Sequence, residues 1–151
     1  MMSRQRLPIA ALTWLLLLSG PLAAQQFEQV GDYQIHYSAV STSFLPRDVA
    51  EEYGIQRSPA MALLNVSVLE VQEDGSTPPV TASVEGSVGP LGEAGGSPLA
   101  FRSLRIGDTP SQVAVFRIQD DEPMRFDLRV RYDRNAPPTE VSFIQRFYID
   151  R

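Results

Sequence analysis

From Phe27 to the end of the chain, apolar residues recur at every second position, the period of strands that bury one face and wet the other. In "DYQIHYSAV", Tyr33, Ile35, Tyr37 and Ala39 alternate with Gln34, His36 and Ser38, and the short segment "FEQV" precedes it across the turn pair Gly31-Asp32. The run "AMALLNVSVLEV" sets Ala62, Leu64, Val66 and Val68 on one face and Met61, Leu63, Asn65, Ser67 and Leu69 on the other. Its first half is apolar on both sides, which predicts a central strand. After the turn "EDGS", the segment "PVTASVEGSV" reads as one strand with Val80, Ala82, Val84 and Val88 inward. "LAFRSLRI" and "QVAVFRI" flank the turn "GDTPS", while "PMRFDLRVRY" and "TEVSFIQRFYI" flank "DRNAPP".

Two segments break the alternation. In "LPRDVAEEYGI", Pro46 suits the start of a helix, Val49 and Tyr53 fall four apart on one face, and Gly54 suits the position just past the end. One short helix crossing between strands follows. "GPLGEAGGSP" is a glycine- and proline-rich loop whose composition predicts mobility. About seven strands, turns every 8 to 12 residues and a single helical crossover predict an all-β, immunoglobulin-like β-sandwich; a small β-barrel is the alternative.

The N-terminus has a different character. Arg4 and Arg6 precede an apolar run from Leu7 to Leu18, a Ser19-Gly20 breaker and "PLAAQQ". That order predicts a signal peptide over residues 1–24 and a periplasmic, single-domain mature chain over 25–151. The run is shorter than the roughly 20 residues a membrane span needs, and no later segment of the mature chain is apolar for long enough. With no cysteine, a Cys-anchored lipoprotein is excluded and the domain has no disulfide to lean on. The mature chain carries eleven arginines against eighteen carboxylates, a net charge of −7, which argues against nucleic acid as a partner.

Candidate chemistry is sparse. One histidine and no cysteine argue against a transition-metal centre, no cofactor motif is present, and the acidic turns "DDE" and "EDG" lack the spacing of a calcium loop. Nucleophilic catalysis would have only His36 as its base, and there is no Gly-x-Ser-x-Gly elbow. Asn65, polar on a largely apolar strand, must be satisfied by hydrogen bonds if buried, which favours a structural role. Between Tyr33 and Ser58 the unusual residues Tyr33, His36, Tyr37, Tyr53, Arg57 and Ser58 concentrate. They either line a ligand groove or close one end of the core.

"RFDLRVRY" poses a separate question, because its arginines share one face. A hairpin folded at "DRNAPP" with Val130 opposite Val141 and Leu128 opposite Phe143 mixes them with Asp127 and Glu140, so the face is a solvated one. The same register sets Arg125 against Arg146, a like-charged pair that needs a further carboxylate or an external anion.

The stretch "GDYQIHYSAVSTSFLPRDVAEEYGIQRSPAMALLNVSVL" resembles the N-terminal signature of an exported proteobacterial family, domain-of-unknown-function family 4426. The resemblance rests on Gly31, Tyr33, His36, Tyr37, Phe44, Leu45, Val49, Ala50, Tyr53, Ile55, Arg57, Ser58, Leu64 and Asn65. The C-terminal "FIQRFYID" is similar to that family's ending, whereas the loop from Gly89 to Pro98 is longer than the family pattern. The resemblance implies a periplasmic location and brings no activity to any residue. Two functions are therefore expected in competition. The first is a non-catalytic module binding a periplasmic or envelope protein partner; the second is a small-molecule or glycan-binding domain, or weak hydrolase, using the Tyr33 to Ser58 cluster.

Overall fold

The computed structural model describes residues 26 to 149 except Ala94, and the expected signal peptide lies outside them. In chain order the elements are β1 (Gln26–Val30), β2 (Tyr33–Ser41), α1 (Arg47–Glu52), β3 (Met61–Glu70), β4 (Pro79–Val80) and β5 (Ser83–Pro90). They continue as β6 (Ser97–Pro98), β7 (Arg102–Ile106), β8 (Thr109–Arg117), β9 (Glu122–Arg131) and β10 (Thr139–Phe147). One sheet, A, runs β1-β2-β3-β8-β7 with β4 added on β3; the other, B, runs β10-β9-β5-β6. Every ladder is antiparallel. The molecule is a β-sandwich and not a closed barrel.

The inward rows of the two sheets make the main core. Sheet A supplies Ile35, Leu64, Val66, Val68 and Phe116; sheet B supplies Val84, Val88, Phe126, Leu128, Val130 and Val141. Aromatic rings tie the layers together. Phe126 lies parallel to Phe143 at 4.5 Å and meets Phe116 edge-on at 5.2 Å, while Tyr37 of sheet A stacks on Phe143 of sheet B, also at 4.5 Å. At the open side of the sandwich, Gln145 Nε2 donates to the Ala39 carbonyl of the opposite sheet.

A second, smaller apolar cluster lies on the other face of sheet A. Ala50 of α1 and Ile55 cover Leu63 of β3 and Val113 of β8. This accounts for the double-sided apolar pattern of "AMALL": β3 is central, between β2 and β8, and the helix caps its outward face at that end. Pro46 stands as the helix cap, and Gly54 ends the helix at φ +66°, where a side chain would be strained. Thr42, fully buried beside the helix, accepts from Ser58 N at 2.8 Å and donates to Ser58 O at 3.1 Å, pinning the return of the chain into β3.

Three expectations change. "PVTASVEGSV" is two strands, since β4 pairs with β3 in sheet A and β5 with β9 in sheet B. The chain crosses between layers without losing its alternation, because both halves face the same core. "LAFRSLRI" becomes ladder only from Arg102, its Leu99 being buried in the core. In the last hairpin Val141 lies opposite Leu128 and Phe143 opposite Phe126, two residues from the expected register. Val130 pairs with Thr139, and Tyr132, just past the ladder, packs on Tyr33 at 4.3 Å. A shift of two keeps every side chain on its own face, so hydrophobic patterning cannot detect it.

Candidate functional site

The corrected register dissolves the Arg125 and Arg146 pair. Arg125 lies opposite Ile144 and Arg146 opposite Pro123. Each arginine finds a carboxylate of its own, Arg125 on Asp127 at 3.2 Å and Arg146 on Asp121 at 2.9 Å. Asp127 also accepts from Ser142 at 2.7 Å, and this hydrogen bond, helped by Arg125, holds its carboxyl below the usual range against a partial loss of solvent. With Arg129 reaching Glu85 at 3.9 Å, the arginines on the outer face of sheet B are interspersed with carboxylates.

The Gly89–Pro98 loop folds back as the β5-β6 hairpin and borders two clefts of about 380 and 450 Å³. The first includes Arg125, Asp127 and Glu93, so its cation already has a carboxylate at hand. The second lies between the sheets, over Leu99, Phe116 and Met124.

The six residues of the Tyr33 to Ser58 group are placed in separate environments. Tyr33 and Tyr37 point into the sandwich, where Tyr33 packs on Tyr132 and Tyr37 on Phe143. The neighbouring Glu70 carboxylate raises the Tyr33 phenol pKa, by hydrogen bonding first and by charge second, whereas burial raises that of Tyr37. Tyr53 packs on the outer cluster and its carbonyl accepts from Arg102 at 2.8 Å. Arg57 donates to the Ser43 carbonyl at 3.1 Å, and Ser58 is held through its backbone by Thr42. Of the six, His36 and Tyr37 border a depression together; Tyr53 and Arg57 do not join them. The expected groove of His36, Tyr53 and Arg57 is not formed: Tyr53 lies on the same face of sheet A as His36 but at the end covered by α1, in the cluster of Leu63 and Val113, and Arg57 is turned to the Ser43 carbonyl.

His36 instead anchors a different arrangement on the outer face of sheet A. Strand pairing sets His36 against Ser67 and Ser38 against Asn65. With Leu69 and Thr109 these side chains border an open depression of about 300 Å³. The imidazole is stacked on Phe27 at 5.0 Å, its Nε2 is 3.0 Å from Gln34 Oε1, and Phe27 is itself 54% exposed. Asn65 Oδ1 is buried with no hydrogen-bond partner among the described residues, where a buried Asn65 is expected to be satisfied by hydrogen bonds. An amide oxygen left that way costs about 1–3 kcal/mol. Period-two reading puts Ser38 on the side of His36, but only the β2-β3 register brings Asn65 and Ser67 beside them.

Burial lowers the His36 pKa. Protonation is therefore harder in the folded chain than in the unfolded one, and stability declines as pH falls from about 6.5 through the lower folded value. The Hε1 proton of the chain's sole imidazole is expected to give one resonance with a titration midpoint below 6.5. A midpoint at or above that value would mean that the ring is solvated.

The family model "Domain of unknown function (DUF4426)" matches residues 27–150. The chain belongs to the DUF4426 family. A solved structure of a DUF4426 protein from Pseudomonas aeruginosa PAO1 is 29% identical, with a TM-score of 0.70 over 86% of this chain and 99% of that one. A second solved structure is FetP of uropathogenic E. coli, expressed recombinantly in the periplasm of E. coli. It shares the fold at 11% identity, with a TM-score of 0.61 over 83% of this chain and 94% of its own. No curated protein matches. Among the described residues of this DUF4426 chain, no helix is long and apolar enough to cross a membrane and no three potential metal ligands of the His, Cys, Asp and Glu types cluster.

Proposed function

We propose that this DUF4426 protein is an exported, non-catalytic binding module that docks an extended segment of an envelope protein along β10. The edge of β10, which no other strand of the described residues pairs on its far side, carries the reading. It is the terminal strand of sheet B and, at nine residues, the longest edge of the sandwich; β1 and β7 have five residues each and β6 has two. A terminal strand presents backbone donors and acceptors to a new strand, and natural sheets shorten or charge such edges to prevent this. On β10 the outward row is Glu140, Ser142, Ile144 and Arg146, with Ile144 54% exposed and Tyr148 just beyond it 66% exposed. The non-catalytic part is supported by His36, whose ring nitrogen meets Gln34 rather than a serine hydroxyl.

Photo-crosslinking in cells exporting the protein tests this. A photoreactive residue at Ile144 or Tyr148 is expected to trap one envelope protein repeatedly, while the same residue at Thr81 traps none. Recovery of uncrosslinked protein from all three positions would count heavily against strand addition.

A further inference from the structure

We infer that the depression on the outer face of sheet A binds an uncharged saccharide of one or two rings. The site lies on the sheet opposite to β10 and stands independently of docking there. Its side chains, His36, Ser38, Asn65, Ser67, Leu69 and Thr109, include no acidic or basic group apart from the imidazole, which burial keeps toward its neutral form. On a chain whose mature part carries eleven arginines and eighteen carboxylates, that neutrality selects against ionic ligands. With Leu69 as the principal aliphatic group, the lining also suits an apolar ligand poorly.

What remains is a surface for hydroxyl groups. Ser38, Ser67 and Thr109 can each donate and accept, as sugar hydroxyls do. The Asn65 carbonyl needs a donor that the strands do not supply, and a ligand hydroxyl provides one when the amide swings toward the depression. Next to this polar patch, Phe27 is stacked on His36 with its ring exposed, and such a ring offers an apolar face to the C–H side of a sugar. The volume of about 300 Å³ is at the small end for ligand sites, in keeping with one or two rings. Because the depression is open and its polar contacts are neutral, affinity is expected to be weak, with Kd on the order of 1 mM.

The test is an NMR titration of the isotope-labelled mature chain with N,N′-diacetylchitobiose and, separately, maltose, with inorganic phosphate as the charged control. At least one disaccharide is expected to shift the amides of Ser38, Asn65 and Ser67, with phosphate leaving them in place. In the Ser38→Ala/Ser67→Ala double variant and in Phe27→Ala, binding should weaken about tenfold, the effect of losing a neutral contact or two. These surface changes leave the remaining resonances, and hence the fold, intact. The proposal is overturned if neither disaccharide shifts these amides, if shifts arise only elsewhere, if phosphate produces them, or if the variants bind as the parent does. Crosslinking at β10 reads a different face, so the two proposals fail separately.

Discussion

Replacing Phe126 by alanine is expected to remove about 3–5 kcal/mol of stability, the usual cost of deleting a buried phenyl ring. Phe126 is completely buried, stacked on Phe143 at 4.5 Å and in edge contact with Phe116 at 5.2 Å and Phe147 at 6.2 Å. Phe116 belongs to sheet A and the other three rings to sheet B, so the deletion opens the seam between the layers. Tyr37 on the other side of Phe143 loses its support as well. Since domains of this kind have only about 5–15 kcal/mol in hand, the variant is expected to lose about a fifth or more of the total. Urea unfolding followed by tyrosine fluorescence measures it, and a loss below about 1 kcal/mol would show that the ring is not the keystone of the core.

A single added methyl at Gly86 is expected to be nearly as damaging. Gly86 falls between Val84 and Val88 on the inward row of β5, opposite Leu128. A Cβ there would collide with the Asp127 carbonyl oxygen and lie 2.8 Å from Leu128 Cδ2. The first obstacle is backbone, which cannot rotate away as a side-chain end can, so β5 and β9 must separate. The Gly86 carbonyl also accepts from Leu99 N at 2.8 Å, and moving β5 disturbs that tie as well. Gly86→Ala is expected to cost about 3 kcal/mol, at the upper end of overpacking effects. Ser87→Ala on the outer face serves as the control and should stay within about 0.5 kcal/mol of the parent. Equal urea midpoints for the two variants would contradict the close approach of the strands.

The candidate site was partly legible. His36 is the only imidazole of the chain, and the placement of Ser38 on the same face follows from alternation along β2. Asn65 was visible as an oddity in an apolar strand, yet its lack of a hydrogen-bond partner depends on what the neighbouring strands fail to offer. Tyr53, Arg57 and Ser58 are close to His36 in sequence but are carried elsewhere by the crossover, where Arg57 and Ser58 serve local backbone hydrogen bonds. Nearness along the chain is a poor guide across a crossover, because the helix moves the path over the outer face of the sheet.

By itself the sequence determined the class and the layers: alternating residues demand strands with one buried face, the doubly apolar start of β3 demands a central position, and Pro46 with Gly54 bounds the helix. Only tertiary structure decided which strands are neighbours and in what register. Period two is unchanged when the chain passes from β4 in one sheet to β5 in the other, and a ladder that slips by two residues keeps each side chain on its face. The register and the choice of neighbours decided the Asp121 partner of Arg146 and the uncharged depression between β2 and β3.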